Sequence, residues 1–123
     1  MNLEKRELPV LGLSLLLFWL LGMRTRVRVC GQSMEPALGD GSDVLVRTLR
    51  PKDTPALIPG DILWLTHPLH SGQTIIKRLQ HITDDGGLYV VGDAEGESSD
   101  SRVFGPVPPN RLLGLVVARF PPR

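Results

Sequence analysis

The chain is poor in the residues that usually declare a chemistry. It has one cysteine, Cys30, in 123 residues, so no internal disulfide can form. Its formal net charge is +1, so neither sign is in surplus to draw a nucleic acid or an acidic partner. The three histidines are His67, His70 and His81. None has the cysteine or histidine spacing of a zinc site, and none carries a serine-histidine-acid signature. His67-x-x-His70 straddles Pro68 and reads as a loop. Cys30, between Val29 and Gly31, reads as a small packed thiol. No long amphipathic helix is evident after Arg24. Glycine (13) and proline (11) are plentiful instead, which fits a single turn-rich β domain.

The stretch Gly31-Gln32-Ser33-Met34-Glu35-Pro36-Ala37-Leu38 holds the first candidate for chemistry. Pro36 fixes its own φ and pushes Glu35 out of the helical region. Ser33 is therefore expected on a rigid, extended turn with its hydroxyl presented. Gly31 lets another backbone approach. An ordinary polar turn would use the same residues. A serine hydroxyl needs a base, and a lysine made less basic by burial can supply one. In Thr74-Ile75-Ile76-Lys77-Arg78-Leu79, strand alternation puts Ile75, Lys77 and Leu79 on one face. A lysine between those two apolar neighbours would be desolvated. A lysine at a sheet edge, reaching out to water, fits the same pattern.

The remaining segments alternate between turns and short apolar runs. Strands are expected over Arg24–Val29, Asp43–Arg47, Ile62–Leu65, Thr74–His81, Leu88–Val91 and Leu112–Phe120. Asp84-Asp85-Gly86-Gly87 is a hairpin signal between two of them. Gly92–Arg102 is a polar loop, too long for a hairpin, and long loops in compact domains are often functional.

Ser33-Met34-x-Pro36-x-Leu38, Pro59-Gly60-Asp61-Ile62-Leu63, Ile76-Lys77-Arg78, Gly92-Asp93 and Ser98-Ser99-Asp100-Ser101-Arg102 resemble, in order, the boxes of the type I signal peptidase family. The resemblance runs from about Val29 to Val107 and rests on the order of the boxes. It implies a mainly β, signal-peptidase-like or LexA-like domain and a serine endopeptidase with a Ser-Lys dyad. It implies Ser33 as nucleophile and Lys77 as general base. It also implies that Ser98 orients the lysine amine and that Asp100 and Arg102 form an ion pair behind the site. No metal or other cofactor is implied. The partners implied are a protein substrate bound as an added strand along Gly31 and Gln32, and membrane lipid, with no nucleic acid. Ala94 departs from the usual Gly-Asp-Asn, which would loosen that loop. Gly31 stands where some members carry a hydroxyl donor, leaving backbone N–H groups for the oxyanion. Lys77 and Gly92 are close in sequence, with no room for a second β subdomain. That compactness, His67-Pro68 and Ala118-Arg119-Phe120-Pro121 look most like the branch that trims the N-terminal extension of nickel-type superoxide dismutase.

Residues 1–7 read as a polar flank, 8–23 as a single membrane-anchor helix and 24–123 as the peptidase domain. The uncharged run Leu8–Met23 would reach about 24 Å as a helix, short of a hydrocarbon core of about 30 Å. Trp19 and the arginines that follow would extend its reach. A cleaved signal peptide also has a basic start and a short apolar run, but it wants a small-x-small site where this chain has Gly22-Met23-Arg24. A buried core helix would show a polar stripe. The expected location is a single pass in the plasma membrane. Arg24, Arg26 and Arg28 against Lys5 and Arg6 lean towards a cytoplasmic β domain. Competing functions are a general signal peptidase for exported preproteins, a self-cleaving repressor of the same fold and a membrane-tethered β adaptor without activity.

Overall fold

A computed structural model describes residues 8–10, 12–13, 16–17, 24–94, 96 and 99–121. Its framework is a six-stranded sheet in the order β1-β2-β6-β3-β4-β5. The strands are β1 (Thr25–Arg28), β2 (Asp43–Thr48), β3 (Ile62–Thr66), β4 (Thr74–Ile82), β5 (Leu88–Val91) and β6 (Leu112–Arg119). All the paired strands are antiparallel. One short helix, α1 (Ser101–Phe104), follows β5.

Period-two alternation divides the apolar side chains between two clusters. Leu63 and Leu65 of β3, Leu79 of β4, and Leu88 and Val90 of β5 pack in the first, with Ile75 against it. Val44 and Val46 of β2, Ile62 of β3, Ile76 of β4 and Val116 of β6 pack in the second. Met34 and Leu38 also belong to the second cluster. The apolar positions of the serine stretch are therefore its anchors in the core.

The last strand, β6, is inserted between β2 and β3. Gly114 makes this close passage possible, because a Cβ there would stand 2.3 Å from Val46 Cγ1 and 2.7 Å from the Arg47 carbonyl oxygen. Among the described residues, two stretches of strand edge have no strand partner. β1 pairs with β2 alone. β4 pairs with β5 only from Arg78 onward, so Thr74–Lys77 is bonded to β3 on one side.

The expected anchor helix falls largely outside the described residues. Where its start is described, Leu8–Val10 is extended rather than helical. Arg119 N donates to the Pro9 carbonyl at 3.1 Å, Val10 forms a parallel bridge with Arg119, and Leu8 packs against the second cluster. Pro9 explains the departure, since the residue before a proline is pushed out of the helical region. No helix among the described residues is long and apolar enough to cross a membrane.

Candidate active site

Ser33 sits in a hydrogen-bonded turn rather than on an extended segment. Glu35 N donates to the Gln32 carbonyl at 3.1 Å, and Leu38 N donates to the Met34 carbonyl at 2.8 Å. Gly31 has φ +90°, a conformation few other residues adopt. Its N–H donates to Asp40 Oδ1 at 2.9 Å. Met34 is 1% exposed, so the turn is pinned directly beside the serine while Ser33 itself stays half-buried.

The second clamp on Ser33 comes from the end of β5. Ala94 N donates to the Ser33 carbonyl at 2.8 Å. This bond uses the backbone, so replacing the usual Asn by Ala94 leaves it in place. Gly92 lies so close that a Cβ would meet the Ser33 carbonyl oxygen at 2.8 Å.

Lys77 reaches the serine from β4. Its Nζ donates to Ser33 Oγ at 2.7 Å, across 44 residues of sequence. Lys77 is paired with Leu63 of β3 and is 5% exposed. Between the desolvated lysine and one reaching to water, the structure gives the first. Burial pushes the Lys77 ammonium below the usual lysine range; the Asp100 carboxylate opposes this and the Arg102 guanidinium adds to it. The serine hydroxyl and a weakened amine are thus in direct contact.

Asp100 and Arg102 pair as expected. Arg102 Nη2 donates to Asp100 Oδ2 at 2.6 Å, and Arg102 Nε donates to Oδ1 at 3.1 Å. Asp100 is fully buried and also accepts from Gly92 N at 2.9 Å and Arg102 N at 3.0 Å. Burial pushes its carboxyl up, but the Arg102 side chain, the two N–H donors and the guanidinium charge outweigh this and hold it below the ordinary carboxylate range. Asp100 thereby caps α1 and fixes Gly92, the residue that abuts Ser33. Ser98 lies outside the described residues.

A second ion pair had no role in the sequence reading. Arg78 Nε and Nη2 donate to the two carboxylate oxygens of Asp93, each at 2.8 Å. Arg78 Nη1 donates to the Gly60 carbonyl at 2.8 Å. Both side chains are at most 2% exposed. The pair ties β4, the Pro59-Gly60-Asp61 turn and the loop after β5 into one unit behind the serine. Arg78 follows the base and Asp93 follows Gly92, and these positions in two adjacent boxes were the available signal.

A groove of about 400 Å³ opens beside the dyad. It lies between the end of β1, with Val29 and Cys30, and the start of β4, with Thr74 and Ile75. Ser33, Lys77 and His67 also line it. Gly31 and Gln32, the expected substrate strip, are exposed on the turn, and the lining passes from Cys30 to Ser33 without them. Cys30 is exposed rather than packed: Val29 before it takes the core position, and Cys30 opens the exposed stretch that continues through Gly31 and Gln32. His67 is 4% exposed, not a solvated loop residue. The alternation Leu63-Leu65-His67 carries it onto the lysine-bearing face.

Residues 80–121 match the family model described as signal peptidase, peptidase S26. The match takes in Asp93, Asp100 and Arg102. The chain is 34% identical over 111 residues to mitochondrial inner membrane protease subunit 2 of Mus musculus, covering 74% of this chain and 61% of that protein. It is 35% identical over 112 residues to the Danio rerio subunit 2, covering 75% and 59%. The chain is thus similar to the peptidase S26 signal peptidase family over residues 80–121 and to two mitochondrial protease subunits over about three quarters of its length. Subunit 1 of the same protease from Schizosaccharomyces pombe is 29% identical over 110 residues, covering 75% of this chain and 70% of that protein. The chain spans 61% and 59% of the length of the mouse and zebrafish relatives.

Proposed function

We propose that the chain is a serine endopeptidase that uses Ser33 as nucleophile and Lys77 as general base. The observation that carries this reading is the 2.7 Å contact between Lys77 Nζ and Ser33 Oγ at a lysine whose burial favours the neutral amine. A neutral Lys77 takes the Ser33 hydroxyl proton as Oγ attacks the scissile carbonyl carbon. The oxyanion that forms is met by backbone N–H groups of the turn, including that of Ser33. Collapse of the intermediate breaks the C–N bond, and Lys77 returns the proton to the leaving amine. Water, deprotonated by the same amine, then releases the acyl group. Ser98 is assigned to orient the amine on the family resemblance.

The substrate binds extended. The edge of β1 and the edge of Thr74–Lys77 that carry no strand among the described residues flank the groove, and either can hydrogen-bond a peptide as an added strand. The product class is a protein shortened at its N-terminus. The resemblance to the compact branch names the precursor of a nickel-type superoxide dismutase as the substrate. The uncharged run 8–23 and the relatives' membrane location support attachment to a membrane. Co-expression with such a precursor tests the reading: the intact chain yields the trimmed form and Ser33→Ala does not. An intact precursor beside a cleaved exported preprotein would assign the general signal peptidase activity instead.

A further inference from the structure

Beyond the dyad, the face of the sheet that carries Lys77 has a second polar position. β3 and β4 pair rung by rung, with Leu63 opposite Lys77 and Leu65 opposite Ile75. The next rung of the same face is His67 opposite Gln73, where His67 N donates to the Gln73 carbonyl at 2.8 Å. Both residues line the groove. Moving along β4 from the base, the face is therefore apolar for one rung and polar at the next. At about 3.3 Å per residue the polar rung lies about 13 Å from Lys77, four residues of an extended peptide.

His67 is held as a donor at that position. Its Nδ1 accepts from Leu69 N at 3.0 Å, so the proton of the neutral ring belongs on Nε2. The ring packs edge-on to Phe104 at 5.3 Å and beside His70 at 4.5 Å. Burial lowers its pKa, and the charges of His70 and Lys77 lower it further. Nε2–H has no hydrogen-bond partner among the described residues. A peptide lying along the open strand edges would satisfy its backbone groups there, which leaves the side-chain donors of this rung to read a side chain.

We infer that His67 and Gln73 form a specificity subsite that takes a substrate side chain bearing an acceptor oxygen, about four residues from the scissile bond. The inference rests on the groove being the peptide-binding cleft of the proposed endopeptidase.

The test uses the full chain carrying Ser33→Ala and a positional library of labelled decapeptides. Each position in turn carries Asn, Gln, Asp or Glu, or the apolar Leu or Val. Binding is read by fluorescence polarisation. The expected result is a preference of about tenfold for acceptor side chains at one position, the scale of one hydrogen bond. Adding His67→Phe, which keeps a ring against Phe104, reduces that preference to about twofold or less, and His67→Gln restores it in part. Should His67→Phe fail to fold, the exposed Gln73→Leu serves instead and halves the preference or more. Equal binding of acceptor and apolar peptides at every position, or a preference that survives both substitutions, overturns the inference. The same library with the unsubstituted chain reads cleavage. Selective binding without cleavage would count against the endopeptidase reading and leave the subsite standing.

Discussion

Gly92 and Ser33 are packed so tightly that a Cβ at Gly92 would stand 2.8 Å from the Ser33 carbonyl oxygen and 3.1 Å from its Cβ. The backbone after β5 thus forms the wall against which the nucleophile is set. Gly92→Ala is expected to displace Ser33 from its place against Lys77. A displacement of about 1 Å can cost about 10²-fold in rate. The expected outcome is a loss of that order in kcat/KM, with far-ultraviolet circular dichroism unchanged. Activity within about twofold of the unsubstituted chain would show that the wall gives way freely.

The Arg78–Asp93 pair behind that wall should matter for stability. Both side chains are buried, and breaking a buried pair leaves one charge uncompensated. Asp93→Ala is expected to destabilise the fold by about 3–5 kcal/mol. Arg78→Met, which also frees the Gly60 carbonyl, should fall in the same range. Urea denaturation measures both. A loss under about 1 kcal/mol would place the pair among weakly contributing surface bridges.

Asp100 couples the loop to the wall. Removing its carboxylate strands the buried Gly92 N and takes the acceptor from the part-buried Arg102 N, and a buried unsatisfied group costs about 1–3 kcal/mol. Asp100→Ala should lower stability by about 3 kcal/mol and lower kcat, since Gly92 loses its fixing bond. The pH dependence has a definite sign. The folded carboxyl is held below its unfolded value, so its contribution is present above the unfolded pKa of about 3.9 and is lost as pH falls through the folded one. Acid unfolding of Asp100→Ala should be correspondingly shallower in that window.

Lys77 has linkage of the same sign at higher pH, but there it is the charged form that the fold penalises. Its folded pKa is lowered, so below the unfolded value of about 10.4 the unfolded chain binds more protons than the folded one. Stability therefore rises with pH between the folded and unfolded values. Lys77→Met removes a buried amine at similar volume. It should abolish activity while stabilising the chain near neutral pH by about 1 kcal/mol or more. An inactive but less stable Lys77→Met chain would mean that the amine contributes to the fold.

Much of this was legible beforehand. Alternation placed all six strands within a residue or two, because each has one or both faces in an apolar cluster. The same alternation put Lys77 on one face with Ile75 and Leu79 but left burial and a water-facing sheet edge both open, and the structure gives burial. Sheet order was not legible, since nothing local in Leu112–Arg119 shows that it enters between β2 and β3. The Leu8–Val10 segment was read by hydropathy as helix, although Pro9 argued against a helical Leu8. His67 was passed over because Pro68 marked a loop, while its parity with Leu63 and Leu65 was not followed. Arg78 and Asp93 stood in recognised boxes, but a bidentate pair formed across two strands and a turn has no signature in one sequence.

The pH–rate profile of kcat/KM for the full chain tests the central claim most directly. If Lys77 is the base and is desolvated, activity requires its neutral amine and rises through a pKa clearly below the free-lysine value of about 10.4. Lys77→Arg, whose guanidinium cannot become a neutral base, should show no rising limb and no activity. A limb that begins only near the free-lysine value, or a Lys77→Arg chain that still cleaves, would contradict the account.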